Sequence, residues 1–144
     1  FIEFMDVGNS NGWRMDDVVP AKEIVSLLHD EFHLEPLTPN YPGEVARRYR
    51  HGDGGGEIGI IASVTQPFCR GCTRARVSAD GHLYTCLFAS EGHDVRALLR
   101  SDLSDEKIAQ ALAAMWQSRD DCYSEQRTAA TSALPKAEMS VLGG

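Results

Sequence analysis

The feature that most constrains this chain is a spacing of cysteines: Cys69-Arg70-Gly71-Cys72, then thirteen residues, then Cys86. Two thiolates separated by two residues can converge on one centre, with Gly71 expected to permit the tight backbone, and a hairpin between Cys72 and Cys86 returns a third thiolate to them. The hairpin loop decides which face Cys86 takes. A two-residue turn at Asp80-Gly81 would pair Cys86 with Ala75 and aim it away from Arg74 and Arg76. A three-residue loop, Ala79-Asp80-Gly81 with Gly81 left-handed, pairs Cys86 with Arg74 instead. Strand alternation then sets Cys72, Arg74, Arg76 and Cys86 on one face, and this is the expected register.

Four cysteines in 144 residues do not read as a disulfide framework, because the chain exceeds the usual stapled scaffold and shows no secretory signal. With 42% hydrophobic and 24% charged residues the composition is that of a folded globular chain. No apolar run approaches the roughly 20 residues of a membrane helix, so a cytoplasmic protein with no membrane partner is expected. The net charge of −7 argues against nucleic acid as a partner. It leaves room for a small anion bound by clustered arginines.

From spacing alone the cysteines fit zinc, with Cys122, His82 or His93 as a fourth ligand, as well as an iron–sulfur cluster with one open iron. Arg74 and Arg76 tip the reading toward iron–sulfur. A cluster on three thiolates that receives a polyphosphate sets anion beside anion, and guanidinium groups there offset the repulsion and bind phosphate in bidentate fashion. The fully ligated rivals, a zinc-ribbon-like module and an auxiliary electron-transfer domain, need the fourth ligand.

Along the chain, residues 1–7 read as a short buried strand ended by turn-formers at 8–12, and a helix is expected from Pro20 through about Phe32. Ile24, Leu27, Leu28 and Glu31 fall at helical spacing, with Val25 and Phe32 widening the stripe. Phe1 opens directly onto the apolar run, so the chain is expected to be cut from a larger protein at a buried strand. Such a strand–helix pair suits the last unit of an incomplete TIM-like barrel over residues 1–35. Residues 36–144 are expected as a second domain of antiparallel hairpins and helices around the metal site, giving an α/β (α+β) fold. Strands at 44–50 and 57–63 flank a glycine run read as a hairpin connection, since no helix follows it to make a phosphate cradle. Strands at 73–78 and 82–87, a short helix at 94–100 and a longer one capped by Ser104 follow, the last with Ile108, Ala111, Leu112 and Met115 on its apolar face. Beyond Arg119 the pattern fades.

Read together, Cys69-x2-Cys72-Thr73-Arg74-Ala75-Arg76, Gly81 and Cys86-Leu87-Phe88 resemble the C-terminal cluster motif of the MoaA family, the radical-SAM GTP 3′,8-cyclases of molybdenum-cofactor biosynthesis. Further matches are Phe1-Ile2-Glu3-Phe4-Met5-Asp6-Val7-Gly8 with Asn11-Gly12-Trp13, Asp94-Val95-Arg96 with Leu98-Leu99-Arg100, and the terminal Gly143-Gly144. The resemblance implies that Cys69, Cys72 and Cys86 hold a [4Fe-4S] cluster whose open iron takes the guanine of GTP, and that Arg74, Ala75 and Arg76 bind GTP. It implies Met5 at a barrel strand end against S-adenosylmethionine, and Gly143-Gly144 as a tail entering the active site. In the family a second [4Fe-4S] cluster cleaves S-adenosylmethionine to a 5′-deoxyadenosyl radical, and GTP becomes 3′,8-cyclo-7,8-dihydro-GTP. The C-x3-C-x2-C motif for that cluster does not occur here, so this chain alone is expected to be inactive and to need an N-terminal barrel half as partner. The resemblance further implies cyclic pyranopterin monophosphate synthase as the next enzyme, and a homodimer is left open.

Overall fold

A computed structural model describes residues 1–142 as an α+β protein with two antiparallel three-stranded sheets and four α-helices among the described residues. The chain divides into two compact units. Unit 1 comprises Phe1–Met5 and Trp13–Thr73, and unit 2 comprises Asp6–Gly12 and Arg74–Gly144.

Unit 1 is built on α1 (Ala21–Phe32) and a sheet of β1 (Glu35–Pro36), β2 (Arg47–Arg50) and β3 (Glu57–Ile60) in that order. Pro20 fixes an extended residue before α1, and His33 ends the helix in a left-handed conformation with φ 50°, its N–H donating to the His29 carbonyl. Ala21, Ile24, Val25, Leu28 and Phe32 lie on one side of α1, and Ala21 joins Ile60 and Ala62 in the unit's core. Leu27, expected in the stripe, is 64% exposed, because its position on the helix is about a third of a turn away from that face. The β2–β3 hairpin pairs Arg47 with Ile60 and Arg50 with Glu57, enclosing the glycine run as a connection.

The expected buried strand at residues 1–7 is reduced to one parallel bridge, Ile2 to Ile61. Its polarity is also reversed: Phe1 and Ile2 are largely exposed, whereas Glu3 and Asp6 are buried. The reason in unit 1 is Glu3. Its carboxylate accepts from the amides of Ala21 (2.7 Å), Val64 (2.8 Å) and Thr65 (2.8 Å) and from the Thr65 hydroxyl. Those donors satisfy the first turn of α1 and fix residues 64–65, so the acid takes the inward place.

Unit 2 holds β4 (Arg76–Val77), β5 (His82–Tyr84) and β6 (His93–Asp94), followed by α2 (Val95–Leu99), α3 (Asp105–Gln117) and α4 (Ala129–Ser132). The β4–β5 hairpin has the expected three-residue loop. Ser78 and His82 close it by a 2.9 Å backbone bond, and Gly81 takes φ +87°. The Gly81 carbonyl then accepts from both Val95 and Arg96 at 3.0 Å, anchoring α2 to the hairpin. Asp94 caps α2 through Ala97 N–H at 2.8 Å. Ser104 stands at the N-cap of α3 with Asp105 and Glu106 in the first turn, although its side chain makes no cap bond. Ile108, Ala111, Leu112 and Met115 are half-buried along one stripe of α3. No helix among the described residues is long and apolar enough to cross a membrane.

Candidate metal and nucleotide site

Cys69 and Cys72 bracket a single 3-10 turn, Cys69–Gly71, in unit 1. The Gly71 amide donates to the Phe68 carbonyl at 3.2 Å and the Cys72 amide to the Cys69 carbonyl at 3.1 Å. This is how a C-x2-C segment brings two sulfurs to one turn. Gly71 itself does not need to be glycine for room, since a β-carbon there would meet nothing within 4 Å. The glycine that packs against this turn is Gly43, which the sequence marks, with Pro36, Pro39 and Pro42, as part of a loop and plausible boundary. It has φ +83°, and a β-carbon on it would stand 3.2 Å from the Gly71 carbonyl and 3.3 Å from the Thr73 hydroxyl.

Cys86 belongs to unit 2 with Arg74, Ala75 and Arg76. The β4–β5 register runs toward the expected Arg74–Cys86 pairing, but the ladder stops at Arg76 opposite Tyr84. The chain bends at Thr85 and Cys86 into a turn closed by Ala89 N–H on the Cys86 carbonyl at 3.3 Å. The alternation argument therefore holds through Arg76 and does not extend to Cys86. Phe88 N–H points at the Cys86 sulfur, 3.5 Å away. Arg74 and Ala75 are exposed and Arg76 is half-buried.

None of the four cysteines is in a disulfide, and each is half-buried. Cys86 and Cys122 line one cavity of about 680 Å³ in unit 2, together with Phe88, Glu91, Asp121 and Lys136. His82 sits on β5 with Nδ1 3.1 Å from Asp80, and His93 is exposed on β6. Met5 is half-buried at the end of the first segment of unit 1. Gly143 and Gly144 lie outside the described residues. Within each unit, no three His, Cys, Asp or Glu side chains among the described residues are gathered as a metal site.

Sequence reading missed a buried charge cluster in unit 2. Asp6 is bound by Arg127 Nε at 3.0 Å and Nη2 at 2.9 Å, with Lys136 Nζ at 3.5 Å and the Tyr123 hydroxyl donating to its other oxygen. The side chains of Asp6, Arg127 and Lys136 are 2%, 3% and 1% exposed. Burial pushes the Asp6 pKa upward, but hydrogen bonds from Tyr123 and Arg127 and the guanidinium charge outweigh it and hold the carboxyl below its usual range. Burial and the same carboxylate drive the Tyr123 phenol far above its usual value. For Glu3 burial again acts upward and is outweighed, here by bonds from Thr65, Ala21 and Val64, so that its pKa also lies low. The signal available in the sequence was an acid inside an apolar run, Asp6 after Phe4 and Met5, with no local partner.

Cys69 and Cys72 thus share one tight turn in unit 1, and in unit 2 a backbone N–H is directed at the Cys86 sulfur. The fold is that of a small α+β protein. The chain belongs to the Molybdenum Cofactor Synthesis C family, whose profile matches residues 1–125. It is 48% identical over 169 aligned residues to a GTP 3′,8-cyclase of Acidothermus cellulolyticus, covering all of this chain and 47% of that relative. To a GTP 3′,8-cyclase of Staphylococcus aureus strain JH9 it is 49% identical over 148 residues, covering all of this chain and 44% of the relative. The chain thus spans less than half the length of these relatives.

Proposed function

We infer that this chain is the C-terminal, substrate-holding part of a GTP 3′,8-cyclase acting in molybdenum-cofactor synthesis. The observation that carries this reading is identity of 48–49% across the whole chain to proteins of that name. In this reading Cys69, Cys72 and Cys86 hold a [4Fe-4S] cluster, and residues 1–35 are the end of a barrel completed by other sequence. When bound, the cluster supplies an open Lewis-acidic iron for the guanine base. Arg74 and Arg76, with the Ala75 backbone between them, bind the triphosphate through charge-assisted bonds. Met5 contacts S-adenosylmethionine, and Gly143-Gly144 reach into the active site. Holding the nucleotide at both ends is the contribution asked of this part, since radical abstraction from a sugar depends on position rather than on acid–base chemistry.

One observation favours a second reading. Cys122 shares a cavity with Cys86, which suits a fully cysteine-ligated centre, either zinc or an electron-transfer cluster. Anaerobic reconstitution with iron and sulfide, followed by iron and zinc analysis of Cys→Ala variants, separates the two. The three-cysteine reading expects loss of iron at Cys69, Cys72 or Cys86 and full retention in Cys122→Ala. Loss in Cys122→Ala, or zinc in place of iron, overturns it.

A further inference from the structure

Two stretches far apart in the sequence meet within unit 2: the loop Gly8-Asn9-Ser10 and the stretch from Leu134 to Leu142. The Glu138 carboxylate accepts from the Asn9 amide at 2.8 Å and from the Ser10 hydroxyl at 2.9 Å. Asn9 adds two bonds through its side chain, donating to the Leu134 carbonyl at 3.1 Å and accepting from the Lys136 amide at 2.8 Å. Gly8 makes this approach possible, since it has φ +65° and a β-carbon on it would collide with the Glu138 carboxylate. The Glu138 backbone then carries the next turn. Its carbonyl accepts from Val141 at 2.9 Å and from Leu142 at 3.3 Å, and Leu142 is 3% exposed. The stretch is rooted just before this point, by Lys136 on Asp6 and the Ser132 carbonyl and by the Ala137 amide on the Ala89 carbonyl at 3.0 Å.

We propose that Gly8, Asn9 and Ser10 form a carboxylate clasp for Glu138 that sets where the chain leaves unit 2, making these four residues positioning residues for Gly143-Gly144. The proposal rests on the reading above that this glycine pair acts at the active site. Glycine has no side chain with which to fix its own direction, so a glycine pair is aimed by the residues before it. Those residues, 139–142, form turns rather than a helix or strand. Short irregular stretches near a chain end open at little cost unless they are tied down. Glu138 ties this one through both carboxylate oxygens, and hydrogen bonds to a charged acceptor are stronger than neutral ones. The bonds from Asn9 and Ser10 also hold its carboxyl below the usual range.

The test uses the 144-residue chain and three variants. Glu138→Ala removes the carboxylate, Gly8→Ala keeps it but blocks its seat, and Ser10→Ala removes one of its bonds. The first readout is hydrogen exchange at the Val141 and Leu142 amides, with the Val95 and Arg96 amides as an internal reference elsewhere in unit 2. Glu138→Ala and Gly8→Ala are expected to speed exchange at Val141 and Leu142 by at least about 10-fold, the weight of one hydrogen bond to a charged group, and to leave the reference amides unchanged. Ser10→Ala is expected to fall between them and the parent. If Gly8→Ala does not fold, Glu138→Ala and Ser10→Ala carry the comparison. Parent-like exchange at Val141 and Leu142, or equal acceleration at the reference amides, overturns the proposal. The second readout is GTP affinity by calorimetry, expected to fall about 10-fold in Glu138→Ala through the added cost of ordering the chain end. Faster local exchange with parent-like GTP affinity overturns the positioning role while the substrate-holding reading stands. A parent without affinity for GTP overturns that reading and the positioning role together, so the two failures are distinct.

Discussion

Replacing Asp6 by Asn tests how much unit 2 depends on one carboxylate. The side chain keeps its size and one oxygen, but two cations lose their counter-charge at positions 3% and 1% exposed. Lys136 retains a 2.7 Å bond to the Ser132 carbonyl, and Arg127 retains contacts to Ser124 near 3.5 Å and its place over the Phe88 and Tyr123 rings. Removing one partner of a buried ion pair typically costs about 3–5 kcal/mol, and that is the expectation here. For a chain of this size the melting temperature should fall on the order of 10 °C. Urea unfolding followed by circular dichroism measures the change, since the midpoint shifts in proportion. The pH dependence gives an internal check. The folded pKa of Asp6 lies below the ordinary aspartate value of 3.8, so its stabilisation is present above that value and disappears as pH falls through the lower folded pKa. Parent and variant should therefore differ fully at neutral pH and converge in strong acid. A loss below about 1 kcal/mol, the level of an exposed pair, or a difference independent of pH, would refute the claim that buried charge pairing holds this unit.

Two further substitutions follow from the same geometry. Glu3→Gln turns an amide group toward the N–H donors of Ala21, Val64 and Thr65, and should cost about 1–3 kcal/mol by urea titration, through frustrated hydrogen bonds. Gly81→Ala forces a side chain at φ +87° with its β-carbon 2.6 Å from that of Arg96. It should destabilise by about 1–3 kcal/mol, and hydrogen exchange should show faster exchange of the Val95 and Arg96 amides, which bond the Gly81 carbonyl.

Much of the local structure was legible because its causes are local. Gly81 at a three-residue loop, the short helix expected at 94–100 and the α3 stripe each depend on neighbours within a few residues, and spacing exposes such neighbours. At residues 1–7 hydrophobicity is a poor guide to burial, since Phe1 and Ile2 are exposed while Glu3 and Asp6 are buried. The decisive interactions there are long-range: Glu3 with residues 64–65 in unit 1, and Asp6 with Arg127 and Lys136 in unit 2. The segment after Arg119 has no periodicity, since its order comes from single polar contacts. Glu138, for example, accepts from Asn9 N–H at 2.8 Å and the Ser10 hydroxyl at 2.9 Å. At the candidate site, the C-x2-C turn was readable from spacing. The bend at Cys86 was not, because a register predicts pairing only as far as the ladder continues.

We propose that this chain holds an open-iron cluster facing a nucleotide. The first experiment is electron paramagnetic resonance of the anaerobically reconstituted, reduced chain, recorded with and without GTP. A four-iron signal that changes when GTP is added is the expected result. A signal indifferent to GTP would contradict the substrate-holding role, and bound zinc with no iron signal would contradict the cluster itself.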